Sequence, residues 1–98
     1  MTISVLEVAL PHAVRVQVGD TSLSVELSDG RSISAPLAWF PRLLHASPAE
    51  RSAWRLIGDG DGIHWPELDE DISVESLVAG RPSLETAESL ARWLAARS

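Results

Sequence analysis

Acidic side chains are concentrated in one stretch of this chain, where they could bind a metal ion or a basic partner. Residues 63–72 read IHWPELDEDI, an apolar segment followed by a proline and four carboxylates. Asp59 and Asp61 lie immediately before it. A calcium loop of the EF-hand type alternates its acidic ligands and ends with a glutamate at the twelfth position. Here the chain enters an apolar segment directly after Gly62, so we interpret Asp59 and Asp61 as turn residues.

The three consecutive acids Asp69, Glu70 and Asp71 allow three interpretations. They precede Ser73, which can cap a helix, and negative charge is favourable near a helix N-terminus. They could instead form ion pairs within the protein, and the candidate cations are Arg42, Arg51 and Arg55. In the third interpretation they form a surface that meets a basic partner, since complementary charge favours association.

The histidines form no clear catalytic or metal-binding set. His12, His45 and His64 are widely spaced, and the chain has no cysteine that could complete a zinc site. Only His64 lies close in sequence to several acids, and a serine nucleophile would require a histidine that an acid orients. A phosphate-binding loop of the P-loop kind needs a lysine, and the chain contains none. We therefore predict a protein that is not an enzyme and that uses no metal or other cofactor.

The composition favours a soluble protein of the cell interior whose partners are other proteins. With 98 residues the chain is long enough for one domain with its own hydrophobic core. A net charge of −6 disfavours binding to nucleic acid or to an anionic membrane. We find neither a secretory signal nor an apolar run of about 20 residues, so we predict a cytoplasmic location and no membrane contact.

The first third of the chain has the alternating pattern of β-strands. Residues 3–10 read ISVLEVAL and predict a strand that is covered on both faces. Strands at residues 14–18, 23–27 and 32–35 follow, and Asp29-Gly30 is typical of a tight hairpin turn. We predict an antiparallel meander with one apolar face that needs a cover. That face is formed by Val14, Val16, Val18, Leu23, Val25, Leu27, Ile33 and Ala35.

Short helices are predicted to cover this meander. Proline breaks a helix interior but is tolerated at its first position, so we expect a turn at residues 37–40 and a helix that begins at Pro41. Residues 47–50 read SPAE, a capping box with proline at the first helical position. This pattern predicts a second short helix, which ends at about Trp54.

The second half of the chain predicts a hairpin followed by two helices. Strands at residues 55–58 and 63–65 flank a turn rich in glycine and aspartate, and we expect a single turn at residues 68–71. Serine caps predict helices at residues 74–79 and at about 84–96. The predicted fold class is α+β, with an antiparallel meander and hairpin sheet that is covered on one face by short helices and followed by a C-terminal helix.

The order of these features resembles the small bacterial domain-of-unknown-function family 2442. Residues 65–72, WPELDEDI, are the most specific part of a similarity that covers about residues 5–80. The resemblance implies an α+β domain at residues 1–80, with residues 81–98 as a C-terminal helical extension. Members of the family often lie beside a second small domain, an arrangement proposed to be a toxin–antitoxin pair. Some members carry a C-terminal helix-turn-helix.

From these observations we predict a non-enzymatic protein-interaction module, the antitoxin-like or adaptor half of a bacterial two-gene pair. Its partner is expected to be another protein, a basic one encoded nearby, or a second copy of this chain. Tryptophan packs in cores and is also enriched at interface hot spots, and Trp93 falls at the edge of the last helix's apolar stripe. The predicted partner-binding residues are Trp65, Asp69, Glu70, Asp71, Leu90 and Trp93.

The alternative prediction is a transcriptional regulator. The helices at residues 74–79 and 84–96, joined by residues 80–83, have the outline of a helix-turn-helix. A recognition helix contacts bases with its N-terminal residues, and here these residues include Glu85 and Glu88. Because carboxylates are repelled by phosphates, we regard nucleic acid as the less favoured partner.

Overall fold

The computed structural model describes residues 10–97, which form two antiparallel three-stranded sheets and several short helices. The α+β class predicted from the sequence is therefore confirmed. Of the strand predicted at residues 3–10, all but Leu10 lies outside the described residues, and Leu10 is not in a strand. None of the helices within residues 10–97 combines the length and the apolar character that crossing a membrane requires.

The first sheet, sheet A, is the predicted meander. Its strands, which are neighbours in chain order, are β1 (Ala13–Val18), β2 (Ser22–Leu27) and β3 (Ser32–Pro36). The predicted apolar face packs against the core except at Val14, which is 53% exposed while Ala13 is buried. The pairing of β1 with β2 shifts register between Ala13 and Arg15. Because a one-residue shift moves a side chain to the other face of a strand, the prediction for Val14 is wrong.

Sheet A is followed by a 3-10 turn and two short helices. They are the turn Leu37–Trp39 and the helices α1 (Pro41–Leu44) and α2 (Pro48–Ser52). Both helices begin at the predicted proline, whose missing N–H needs no partner in a first turn. Helix α2 is slightly shorter than predicted. Leu37, Phe40 and Leu43 from this segment are buried in the hydrophobic core.

The predicted capping box begins helix α2. The Ser47 hydroxyl accepts a hydrogen bond from the Glu50 N–H at 3.1 Å, and the Glu50 carboxylate accepts one from the Ser47 N–H at 2.9 Å. Replacing Ser47 with alanine is expected to lower the free energy of unfolding by about 1 kcal/mol. Urea denaturation measures the change, with Ser52→Ala as the control, because Ser52 only donates to the Pro48 carbonyl within the helix. Equal losses in the two variants would contradict the capping role.

The second sheet, sheet B, has one strand more than predicted. Its strands, again in chain order, are β4 (Arg55–Ile57), β5 (Gly62–Trp65) and β6 (Glu70–Ser73). The single turn predicted at residues 68–71 is wrong, because the turn lies at residues 66–69 and the chain then returns as β6. Asp69 has φ 51°, a left-handed conformation that aspartate tolerates, and it reverses the chain at this point.

Two helices follow β6. Helix α3 (Val74–Ala79) begins at the predicted Ser73 cap and ends at Gly80, which has φ 73°. Helix α4 (Ala87–Arg97) begins three residues later than predicted. The Ser83 hydroxyl accepts a hydrogen bond from the N–H of Glu85, only two residues on, so it forms a turn rather than a cap. The Thr86 hydroxyl instead accepts from the Ser89 N–H and caps the helix.

A close contact between the two sheets occurs at Gly60. The Ala13 N–H donates to the Gly60 carbonyl at 2.8 Å, which links β1 to the hairpin between β4 and β5. Gly60 has φ 100°, and a Cβ atom there would lie 2.5 Å from the Ala13 oxygen. The two sheets share one hydrophobic core, and its largest fully buried side chains are Trp65, Leu23, Leu37, Leu43, Ile63, Leu68, Val25 and Val74.

Candidate functional site

A groove of about 460 Å³ lies beside β6 and contains part of the predicted acidic cluster. One wall is β6 itself, and the other is residues 81–85 of the connector, the segment 80–86 that joins α3 to α4. Phe40 and Ser76 complete the lining. The charged residues that line the groove are Glu70, Asp71, Arg81 and Glu85. Of the three carboxylates, that of Glu85 is paired with Arg42 and that of Asp71 contacts His64. We call this feature the acidic groove.

The connector is held in place by hydrogen bonds to the segment that contains α1. The Ser83 N–H donates to the Trp39 carbonyl at 2.9 Å. The Arg42 guanidinium binds the Glu85 carboxylate through Nε and Nη2, at 2.6 and 3.3 Å. Both side chains are largely buried, at 15% and 7% exposure, so this is a well-shielded bidentate pair. The hydrogen bond from Arg42 holds the pKa of Glu85 below its usual range.

Glu70 is the buried carboxylate of the groove. It is 9% exposed, and it makes no side-chain hydrogen bond with any other residue in the range 10–97. Burial raises the pKa of Glu70 to about 7, the Arg42 charge opposes this rise, and the negative charge of Glu85 adds to it. Because Arg42 is already hydrogen-bonded to Glu85 and to two main-chain carbonyls, it does not neutralise Glu70 directly.

The backbone of β6 also faces the groove, because β6 is an outer strand of sheet B. The Val74 N–H donates to the Asp61 carbonyl at 2.9 Å. Hydrogen-bonded pairs alternate with non-hydrogen-bonded pairs along an antiparallel ladder. Ile72 is therefore hydrogen-bonded to β5, whereas Asp71 directs its N–H and C=O away from β5 and towards the groove.

The structure brings one predicted histidine and one predicted acid together. His64 and Asp71 are cross-strand neighbours, and His64 Nδ1 lies 2.5 Å from an Asp71 carboxylate oxygen. On the neighbouring strand β4, Arg55 is the residue that pairs with His64. No hydroxyl group in the described part of the chain is hydrogen-bonded to His64, so a serine nucleophile is not assembled there. Among residues 10–97, no three histidine or acidic side chains are placed so as to hold a metal ion.

A second set of charged contacts holds helix α4 against the domain. Two guanidinium groups contact the Trp93 ring, that of Arg42 at 5.2 Å and that of Arg97 at 4.3 Å from its centroid. Arg97 Nη2 donates to the Glu50 carboxylate at 2.7 Å. The hydrogen bond from Arg97 lowers the pKa of Glu50 to about 2. We call Arg42, Glu50, Glu85, Trp93 and Arg97 the C-terminal clamp.

The predicted partner-binding residues differ in how far the structure exposes them to a partner. Asp69 and Asp71 are exposed, Leu90 is half-buried, and Glu70 lies inside the acidic groove. Trp65 is fully buried and donates its ring N–H to the Arg51 carbonyl at 3.1 Å. A fully buried side chain offers no surface to a partner, so Trp65 is removed from the set. Trp93 belongs to the C-terminal clamp and is already in contact with two arginines.

The predicted ion pairs are present only in part. Arg42 Nη1 lies 4.0 Å from an Asp69 carboxylate oxygen, at the outer limit for an ion pair, and its main partner is Glu85. Arg51 instead donates to the carbonyls of Leu43 and Leu44, at the end of α1. Glu85 lies 43 residues from Arg42 in the sequence, and the other partners of Arg42 are main-chain carbonyls. No local sequence signal could therefore have identified these partners.

The predicted helix-turn-helix outline is not formed. Seven residues, 80–86, separate α3 from α4, whereas a helix-turn-helix has a turn of three or four. Glu85 lies in the connector, where it pairs with Arg42, rather than at the exposed start of a recognition helix.

Two solved structures share this fold. A protein of unknown function from Rhodospirillum rubrum, known from a crystal structure, aligns with a TM-score of 0.68 and 27% identity over 84% of this chain and 99% of that chain. An uncharacterised protein from Chromobacterium violaceum, known from solution NMR, aligns with a TM-score of 0.67 and 19% identity over 93% of this chain and 84% of that one. Comparison with curated proteins yields no match. The model of the family described as protein of unknown function (DUF2442) matches residues 13–83, and the chain therefore belongs to that family.

Proposed function

We propose that this protein is a non-enzymatic interaction module that binds a basic partner protein through the acidic groove. The observation that carries the proposal is a groove beside the outer strand of a sheet that is lined by three acidic residues, one of which, Glu70, has no hydrogen-bonded partner among the described residues. A formal net charge of −6 extends this negative potential over the molecule and favours encounter with a basic partner.

The groove is better suited to a protein segment than to a small molecule. Small-molecule sites are enclosed and mostly apolar, with a few polar groups that fix orientation. The acidic groove differs from such a site in that it is open and its charged residues are mainly acidic, and Leu84 at its lip is 94% exposed. An exposed leucine beside carboxylates is typical of a polar rim around an apolar contact.

The proposed setting is a two-gene pair in the cytoplasm, in which this chain is the adaptor or the antitoxin-like half. Support comes from the family, whose members often lie beside a second small domain. A partner encoded nearby would be produced together with this chain, so a moderately sized interface would suffice.

The proposal is tested by co-expression with the product of the adjacent gene, followed by size-exclusion chromatography. Leu84→Arg places a positive charge at the lip of the groove, and we expect it to abolish co-elution without unfolding, because the side chain is almost fully exposed. Leu44→Arg is the matched control, since Leu44 is also exposed but lies on α1, outside the groove. Equal co-elution of both variants, or no co-elution of the folded parent protein, would contradict the proposal.

A further inference from the structure

We propose that the acidic groove takes an extended segment of the partner as a fourth strand on β6, with an arginine or lysine of that segment reaching Glu70. This inference rests on the proposed function and specifies its mode of recognition. Two independent features point to it. They are the outward main-chain groups of β6 and the largely buried Glu70 side chain, which has no hydrogen-bonded partner among the described residues. Strand addition to an open sheet edge is a common way to bind an extended peptide.

The main-chain groups of Asp71 have the direction that an added strand requires. They point away from β5, and no backbone hydrogen bond joins them to another residue within 10–97. A partner strand would accept from the Asp71 N–H and donate to its carbonyl, as the next rung of the ladder. Strand β6 has four residues, so the edge is about 13 Å long and can pair with roughly four residues of a partner.

The Glu70 carboxylate supplies the charge preference. Its side chain is nine-tenths buried, lines the groove and has no hydrogen-bonded partner among the described residues. A largely buried carboxylate without a partner is unfavourable when it is ionised. Its oxygens still reach the groove, since no side-chain polar atom among the described residues is both fully buried and unpaired. A cation that enters the groove can therefore form a charge-assisted hydrogen bond with it. Arg42 does not satisfy this need because its guanidinium is bound to Glu85 and to the Leu68 carbonyl.

The opposite edge of sheet B shows why the groove is the preferred position. Strand β4 is also an outer strand, and all three of its residues are exposed. Its side chains include Arg55 and no carboxylate, so it has no attraction for a cationic segment. The β6 edge has both a wall, formed by the connector, and an acidic lining. A basic extended segment is therefore directed to β6.

The test uses terminally blocked hexapeptides in which valine alternates with arginine, added to the isotope-labelled full chain. Amide hydrogen exchange is followed by NMR at Asp71 and, as a control, at Leu56 on the β4 edge. We expect the arginine peptide to slow exchange at Asp71 at least about tenfold and to leave Leu56 unchanged, since only a hydrogen-bonded amide is protected. A peptide in which glutamate replaces arginine, and an arginine peptide with alternate N-methylated amides, should fail to protect Asp71.

Variants separate the charge preference from the main-chain pairing. Glu70→Gln is expected to weaken binding of the arginine peptide about tenfold, because a hydrogen bond to a charged group becomes one to a neutral group. Glu67→Gln removes the same charge from an exposed turn outside the groove and should leave the affinity unchanged.

The outcomes distinguish this inference from the proposed function. Protection of Asp71 together with the Glu70 effect supports the added strand. Partner co-elution that depends on Leu84, but without protection of Asp71 in the complex, overturns the added strand and leaves the proposed function standing. Absence of both peptide binding and partner co-elution overturns both.

Discussion

Replacing Arg42 with alanine is expected to lower the free energy of unfolding by about 3 to 5 kcal/mol and to release helix α4 from the domain. In the parent protein the Arg42 guanidinium binds both oxygens of Glu85 and donates to the carbonyls of Leu68 and Asp69. It also lies 5.2 Å from the centre of the Trp93 ring. In the variant the Glu85 carboxylate stays buried without its cation. The desolvated, unpaired charge accounts for most of the loss of stability when such a pair is broken.

Urea denaturation measures the loss, and amide hydrogen exchange in α4 reports the release of the helix. Arg81→Ala is the matched control, because Arg81 is exposed and forms no ion pair with another residue in the range 10–97. We expect it to change stability by less than about 0.5 kcal/mol.

A double-mutant cycle assigns the Arg42 effect to the pair. Removing the charge of Glu85 as well, with Glu85→Gln, should recover part of the loss, so the two substitutions should be non-additive by about 1 to 3 kcal/mol. Losses that add fully, or an Arg42→Ala variant as stable as Arg81→Ala, would show that the pair does not hold α4.

Glu70→Gln is expected to raise the free energy of unfolding by about 2 kcal/mol at pH 8 and to have little effect near pH 4. Burial raises the pKa of Glu70 from 4.5 to about 7 in the folded protein. Below pH 4.5 the carboxyl group is protonated in both the folded and the unfolded state, so folding bears no cost of ionisation. Between pH 4.5 and about 7 the unfolded chain ionises while the buried group of the folded protein stays protonated, so this contribution to stability is lost progressively until the pH has passed the folded pKa. Because glutamine does not ionise, the Glu70→Gln variant keeps this contribution to its free energy of unfolding at high pH.

The measurement is the difference in unfolding free energy between Glu70→Gln and the parent at several pH values from 4 to 8. We expect the difference to grow with pH up to about 7 and then to level off. Glu67→Gln, an exposed site, should show no such trend. A difference for Glu70→Gln that is independent of pH would mean that its carboxylate is not destabilised by burial.

Local chemistry explains the parts of the fold that could be predicted. The capping box at residues 47–50 and the helix between Ser73 and Gly80 depend on neighbours in sequence, and both are present. Strand β6 depends instead on pairing with β5 and on the burial of Ile72. Its residues, EDIS, have little intrinsic preference for a strand, so tertiary contacts decide its conformation.

The candidate site was predictable only as a cluster of acids. Residues 69–71 were identified from composition, but their separate roles follow from the alternation of β6, which turns Glu70 inwards and Asp71 outwards. The second wall of the groove comes from the connector, where helix α4 was predicted to begin. The Ser83 hydroxyl accepts from the N–H two residues on and forms a turn, whereas the Ser47 hydroxyl accepts from the N–H three residues on and caps a helix. This difference in spacing separates Ser83 from Ser47.

The C-terminal clamp joins residues inside the family match to residues beyond it. Glu85, Trp93 and Arg97 follow residue 83, where the match to the family ends, whereas Arg42 and Glu50 lie within it. The side chains at positions 42 and 50 thus contact a helix that lies beyond the residues matched by the family model. In a relative without such a helix, we expect Arg42 and Glu50 to keep only their contacts within the domain, which are those to the carbonyls of Leu68 and Asp69 and to the Ser47 N–H.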